Sequence, residues 1–193
     1  MSNRDVSHRA VEHRTASSHG AVHELRRAVP ADVEACLAVW VAACAARDGQ
    51  AFEGVAERAR PKFDAGVVWL VADAPVVDGP DGDGPDVDGR RGVDGFVLAT
   101  RPGSGLPGDP EDAPVIGLLA TRPGAQARGL GRALLREATR QLGALGHHRV
   151  VLHALLDNVA AVGLYESEGW VAAGDPFEHS LLKRPTQRFD RLL

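Results

Sequence analysis

No apolar run in this chain approaches the roughly 20 residues that span a bilayer, so a membrane helix is not expected. Residues 1–20 are polar and rich in His, Arg and Ser. They lack the apolar core of a secretory signal, and a cytoplasmic location is the expectation. An excess of positive charge is also missing: 22 Lys and Arg stand against 26 Asp and Glu, a formal net charge of −4. That argues against sequence-independent binding of nucleic acid, which rests on neutralising phosphates. Cysteine is scarce. Cys36 and Cys44 are eight residues apart in one predicted helix, about 12 Å along its axis, too far for a disulfide. They read as small buried hydrophobes. Metal patterns are lacking as well. His8, His13, His19 and His23 are irregularly spaced and have no cysteine partners. Asp81, Asp83, Asp86 and Asp88 invite a calcium reading, but an EF-hand loop needs a Glu eleven residues after its first Asp, and Gly92 stands there.

What is present is a chain of 193 residues with 44% hydrophobic residues, enough for one cored domain with tails. Residues 1–21 read as a disordered tail and 22–193 as a single domain. An Asp/Gly/Pro stretch at 78–92 reads as an enlarged, hydrated hairpin loop. Periodicity predicts a strand at 22–27, a helix opening at Pro30 and running to about Ala46, and a helical stretch over 50–65 broken near Pro61. It predicts strands at 67–72, 96–99 and 115–120, a helix at 130–145, a strand at 150–155, a helix at 159–168, and two short closing strands within 170–183. That order is an α/β fold with a mixed sheet. On the helix at 130–145, Arg132, Arg136 and Arg140 form a row that reads as a solvated face.

The informative segment follows the strand at 115–120. Arg122-Pro123-Gly124-Ala125-Gln126-Ala127-Arg128-Gly129-Leu130-Gly131-Arg132 leads into a helix. Gly129 and Gly131 remove side chains where the loop enters the helix. Spare N–H donors of the first turn and the helix dipole make such an end an anion site; Arg128 and Arg132 could add charge. A nucleotide P-loop would need Lys and Ser/Thr after Gly131, where Arg132-Ala133 stand. A dinucleotide fingerprint would need a third Gly where Leu134 stands.

Q-x-x-G-x-G after a strand, then a helix, a strand and Asn158-Val159-Ala160-Ala161-Val162-Gly163-Leu164-Tyr165-Glu166-Ser167-Glu168-Gly169-Trp170, resembles the GCN5-related N-acetyltransferase (GNAT) superfamily. The resemblance covers residues 115–170 closely and 22–100 only as an order of elements. It implies a mixed, largely antiparallel sheet of six or seven strands, about four flanking helices, and splayed fourth and fifth strands. It implies acetyl-CoA as cosubstrate, with its pyrophosphate on the backbone of Gln126, Ala127, Arg128, Gly129, Leu130, Gly131, Arg132 and Ala133. Its pantetheine arm would lie along Leu119, Ala120 and Thr121. The Leu119 N–H would face the developing oxyanion. Gly117 fits a bulge or a close backbone approach.

Asn158 suits a helix N-cap. Ala161 and Tyr165 follow it on one helical face, Ala161 small enough to let a ligand pass. A phenol is protonated at pH 7, so Tyr165 is the expected general acid for the leaving thiolate. The family's frequent Glu, twelve residues before the tyrosine, is replaced by His153. Imidazole exchanges protons near neutral pH, so His153 is the candidate base, with Glu178, His179 or a water chain as alternatives. The expected reaction is direct acetyl transfer to a primary amine of a small molecule or peptide. The alternative is a non-catalytic acyl-CoA-binding regulatory module. Acceptor contacts are expected from residues 40–66, 101–114 and 174–180, where Glu53, Glu57 and Asp64 could draw a cationic amine. No nucleic-acid or membrane partner and no metal are expected, and the resemblance leaves room for a homodimer.

Overall fold

A computed structural model describes residues 24–74, 92–126 and 129–193. The expected tail at 1–21, the expected loop at 78–92 apart from Gly92, and Ala127 and Arg128 lie outside the described residues.

The strand expected at 22–27 is described as β1 (Leu25–Arg27). Pro30 opens a single 3-10 turn, and α1 (Val33–Asp48) continues two residues past its expected end. Gly49 stops it at φ 80°, a left-handed conformation that glycine adopts freely. The next helical stretch is split at Pro61, which cannot donate its N–H, into α2 (Val55–Ala59) and α3 (Pro61–Asp64). Then come β2 (Gly66–Asp73), β3 (Val93–Thr100), β4 (Val115–Thr121), α4 (Leu130–Ala144), β5 (Arg149–Leu155) and α5 (Val159–Ser167). The closing strands depart from expectation. β6 (Val171–Glu178) lies within 170–183, but β7 (Pro185–Leu192) lies wholly beyond it. Its Gln, Asp and two Arg disguise it as a loop, yet it sits inside the sheet between β5 and β6 and pairs with β5 over seven residues.

The sheet order is β1-β2-β3-β4-β5-β7-β6. Every pairing is antiparallel except β4 with β5. That parallel pair holds only at Val115 with Val151 and Ile116 with Leu152. Beyond it the two strands part. The register between β3 and β4 shifts at the same level: Ala99 faces Ile116 and Leu98 faces Leu118, so Gly117 is the extra residue of a bulge.

The bulge also resets which side chains face which layer. Ile116 packs with α4, while Leu118 and Ala120 pack towards α1. One sheet face carries Val68, Leu70, Val97 and Ala99 against Leu134, Ala138 and Leu142 of α4 and Tyr165 of α5. The other carries Val71, Phe96 and Leu98 against Cys36, Leu37 and Val39 of α1 and Ala59 of α2. Both cysteines are free and buried, as their spacing implied.

The arginine row on α4 is only partly a solvated face. Arg136 donates to Glu168 through Nε (2.6 Å) and Nη2 (2.9 Å). Arg132 Nε lies 3.1 Å from the same carboxylate, and its Nη2 donates to Ser167 Oγ at 3.0 Å. Glu168 thus fastens the end of α5 to α4. Arg140 pairs locally with Glu137.

Gly95 on β3 lets α4 begin close to the sheet. A Cβ there would lie 3.0 Å from both the Ala120 carbonyl oxygen and Leu130 Cδ2, and 3.1 Å from Thr121 Cγ2. Gly95→Ala should therefore destabilise the protein by about 1–3 kcal/mol through overpacking. The check is a fall in the urea midpoint at unchanged m-value; an unaltered midpoint would show that α4 has room to move.

Candidate active site

Where β4 and β5 part, a slot of about 470 Å³ opens. It is lined by Gly117, Leu118 and Leu119 of β4 and by His153, Ala154 and Leu155 of β5. Asn158, Ala161 and Tyr165 reach it from α5, and Trp40, Cys44 and Arg47 from α1. Since α1 and α5 cover opposite faces of the sheet, the slot has walls from both layers.

The α5 wall follows from local chemistry. The Asn158 side chain accepts from the Ala161 N–H at 3.4 Å, capping the helix as expected. Three and seven residues on, Ala161 and Tyr165 fall on the same face. Tyr165 is 9% exposed, and burial pushes its phenol up to about 12. Its ring packs 6.2 Å from Trp170 and 6.0 Å from Phe189. The hydroxyl makes no hydrogen bond to another described residue, so at neutral pH it offers a proton to whatever occupies the slot.

His153 is held by a partner that sequence reading missed. Its Nε2 lies 3.0 Å from Asp109 Oδ1, and both side chains are largely buried, 15% and 7% exposed. A carboxylate only accepts, so the neutral ring carries its proton on Nε2 and keeps its lone pair on Nδ1. Asp109 is fixed in turn. Its Oδ2 accepts from the Leu106 N–H at 2.7 Å, and Arg188 Nη1 donates to the neighbouring Gly108 carbonyl at 2.7 Å. Gly105 is required for this turn: a Cβ there would lie within 3.0 Å of the Asp109 side chain. Phe177 packs edge-on against the imidazole at 5.7 Å. Asp109 sits 44 residues from His153 in a Gly/Pro loop with no periodicity, so only a Gly-x-x-x-Asp turn marked it.

The alternative bases fare worse. His179 lines the slot, but its Nδ1 already accepts from the N–H groups of Leu181 (3.2 Å) and Leu182 (3.1 Å). Burial, and then the cations Arg47, Lys62, Arg184 and Arg58, push its pKa down, so it is a neutral donor through Nε2. Glu178 pairs with Lys183 at 3.3 Å on the surface and does not line the slot. Neither do Glu53, Glu57 and Asp64. The side chains near the slot mouth are instead basic: Arg47, Arg58 and Lys62.

At the far end of β4, Gln126 is exposed after a 3-10 turn over Pro123–Ala125. Gly129 caps α4 at φ 79° and, having no side chain, takes none of the helix's first N–H groups itself. The helix therefore starts with open donors beside Thr121, Leu130, Gly131 and Arg132; Ala133 N–H is bonded to Gly129 O. The Arg132 side chain points elsewhere, to Glu168 and Ser167.

Tyr165 is the only tyrosine in the chain, so its phenol can be titrated by ultraviolet absorbance without interference. In the folded protein the phenolate should appear with a midpoint near 12 rather than 10.0. Because burial raises the folded value, stability should fall as pH climbs between these two values. A midpoint of about 10 in the folded state would mean an exposed tyrosine.

Comparison with known proteins agrees with this geometry. Residues 88–170 match the Acetyltransferase (GNAT) family. No curated protein matches the chain. Among solved structures, the ribosomal-protein-S18-alanine N-acetyltransferase from Escherichia coli superposes with a TM-score of 0.61 at 17% identity, covering 89% of this chain and 94% of that one. The ribosomal-protein-alanine N-acetyltransferase from Brucella melitensis gives 0.61 at 18% identity, covering 88% and 99%. The NatC complex bound to Gag peptide and CoA gives 0.61 at 14% identity, covering 88% and 98%. At such identities the likeness is one of fold. The family match spans the loop, β5 and α5, so residues 88–170 are similar to the acetyltransferase (GNAT) family, within a fold that these structures share.

Proposed function

We propose that residues 22–193 form one acetyltransferase domain that moves an acetyl group from acetyl-CoA to a primary amine of a small molecule or peptide by direct attack. The observation that carries this reading is the slot itself, with a buried, protonated Tyr165 on one wall and the Asp109-bound His153 on another.

The residues present suit the cosubstrate. The uncapped start of α4 supplies N–H donors for a pyrophosphate. Among the described residues the edge of β4 beyond Ile116 has no partner strand on the β5 side, so its backbone at Leu119, Ala120 and Thr121 is open to pair with the amides of a pantetheine arm. Ala161 leaves room in the α5 wall. The Leu119 N–H is the proposed donor to the carbonyl oxygen as it gains charge. His153 Nδ1 takes the proton of the attacking amine, Asp109 holds the ring in the required tautomer, and Tyr165 returns a proton to the departing sulfur. Structural relatives named for ribosomal-protein alanine and for a complex with a bound peptide support a peptide amine among the acceptors.

The test is thiol release from acetyl-CoA across an amine panel. Tyr165→Phe should lower kcat about 10²-fold, with KM for acetyl-CoA changed little. His153→Asn and Asp109→Asn should each lower kcat/KM by about the same factor, and the double variant no further, because the two side chains act as one unit. CoA binding without turnover on any amine would make the chain a binding module. Additive losses would separate Asp109 from the chemistry.

A further inference from the structure

The slot's charge is one-sided. Among the described residues lining it, none is Asp or Glu, while α1, α2 and α3 contribute Arg47, Arg58 and Lys62. Arg47 is already matched: its Nε donates to Asp48 Oδ1 at 2.8 Å, and Arg184 Nη1 donates to the same oxygen at 2.6 Å. Arg184 also donates to Asp157 Oδ2 at 2.7 Å. Two cations and two carboxylates therefore close on themselves. Arg58 and Lys62 have no carboxylate within ion-pair distance among the described residues.

Lys62 is the more telling. Its Nζ donates to the carbonyl oxygen of Gly117, the bulge residue, at 3.1 Å. A neutral carbonyl is a poor exchange for water around an ammonium, and burial alone pushes this lysine's pKa down. Lys62 is solvent-exposed as a residue, and its side chain lines the slot. A cation on the slot wall with no carboxylate partner among the described residues is placed to take a counter-charge from a ligand. His179 is a neutral donor on the same wall, and the cations that depress it include both Arg58 and Lys62, so the three share one region.

This anion cannot be the phosphates of the cosubstrate. Lys62 meets β4 at Gly117, four residues and about 13 Å along the strand from Thr121 and the α4 loop. It also projects from the α1 side of the sheet, while α4 packs on the other.

We infer that the acceptor amine carries an anionic group (a carboxylate, phosphate or sulfonate) that docks on Arg58 and Lys62 in the α1–α3 wall of the slot, an inference resting on the acetyltransferase reading above. Acidic acceptors are selected and cationic ones, such as polyamines, are repelled.

The experiment compares matched pairs: amino acids with their amides, O-phosphoethanolamine with ethanolamine, and peptides with acidic or neutral second residues. In thiol-release assays the anionic member should be favoured about tenfold or more in kcat/KM. The ratio should collapse in Arg58→Ala and in Lys62→Met, with KM for acetyl-CoA unaltered, and should partly survive in Arg58→Lys. Preference for neutral or cationic acceptors, or a ratio untouched in the double variant, overturns the inference. Calorimetric titration of the same pairs onto wild type and the double variant covers the case without turnover. Anion-selective binding lost in the double variant, with no thiol release, would sink the acetyltransferase reading and leave the anion site standing. No anion-selective binding by any pair would remove the site.

Discussion

The pairing of β4 with β5 ends after two residues on each strand, and the site depends on that interruption. A parallel ladder continued to Thr121 and Leu155 would close the slot and satisfy the backbone edge of β4. Gly117 sits where the ladder fails. As the extra residue of a bulge it bends β4 away from β5, turns its carbonyl towards Lys62, and swaps the phase of the side chains that follow. Leu118 and Ala120 then seal the α1 layer, while Leu119 packs against the cluster that holds Tyr165. One glycine thus exposes the edge, widens the gap and orders its two walls.

Around this gap the protein keeps its carboxylates behind arginine. Glu168 is held by Arg132 and Arg136, and Asp48 by Arg47 and Arg184; Asp109 stands behind His153, with Arg188 Nη1 3.9 Å away. Each of these acids fastens one element to another: α4 to the end of α5, α1 to the turn before β7, and the loop after β3 to β5. The same disposition keeps acids off the slot wall. Structural ion pairing and the field in the slot therefore have one cause.

Much of the geometry proposed for coenzyme binding was legible in sequence, because its features are local. The glycine start of α4 at Gly129 and Gly131, the Asn158 cap and the spacing of Ala161 and Tyr165 each lie within one element or one junction. The bulge at Gly117 could be read because a lone glycine interrupted a buried strand. What escaped came from distant pairing. Asp109 meets His153 from a loop that Arg188 of β7 helps hold through the Gly108 carbonyl. β7 was not expected as a strand, since its register with β5 rather than its own hydrophobicity makes it one. The acceptor wall escaped for the same reason. Glu53, Glu57 and Asp64 were conspicuous as acids near the right place, but helical facing sets Arg58 and Lys62, not these acids, on the slot wall. A split at Pro61 into two short helices sets that facing, and no single helical period across residues 50–65 would give it.

A histidine where the family often has a glutamate also has an electrostatic logic. An alkylammonium must lose a proton before it can attack, at a cost of about 4–5 kcal/mol for a lysine-like amine at pH 7. In a slot walled by Arg58, Lys62 and a neutral His179, nearby positive charge disfavours the ammonium form and lowers that cost. A glutamate in place of His153 would draw the ammonium in and stabilise it, working against its own role as base. In the proposed reaction, an imidazole fixed by Asp109 would accept the proton without first holding the substrate in its unreactive form. The cations that would select an anionic acceptor thus also prepare its amine, so binding and activation rest on the same field rather than on separate residues.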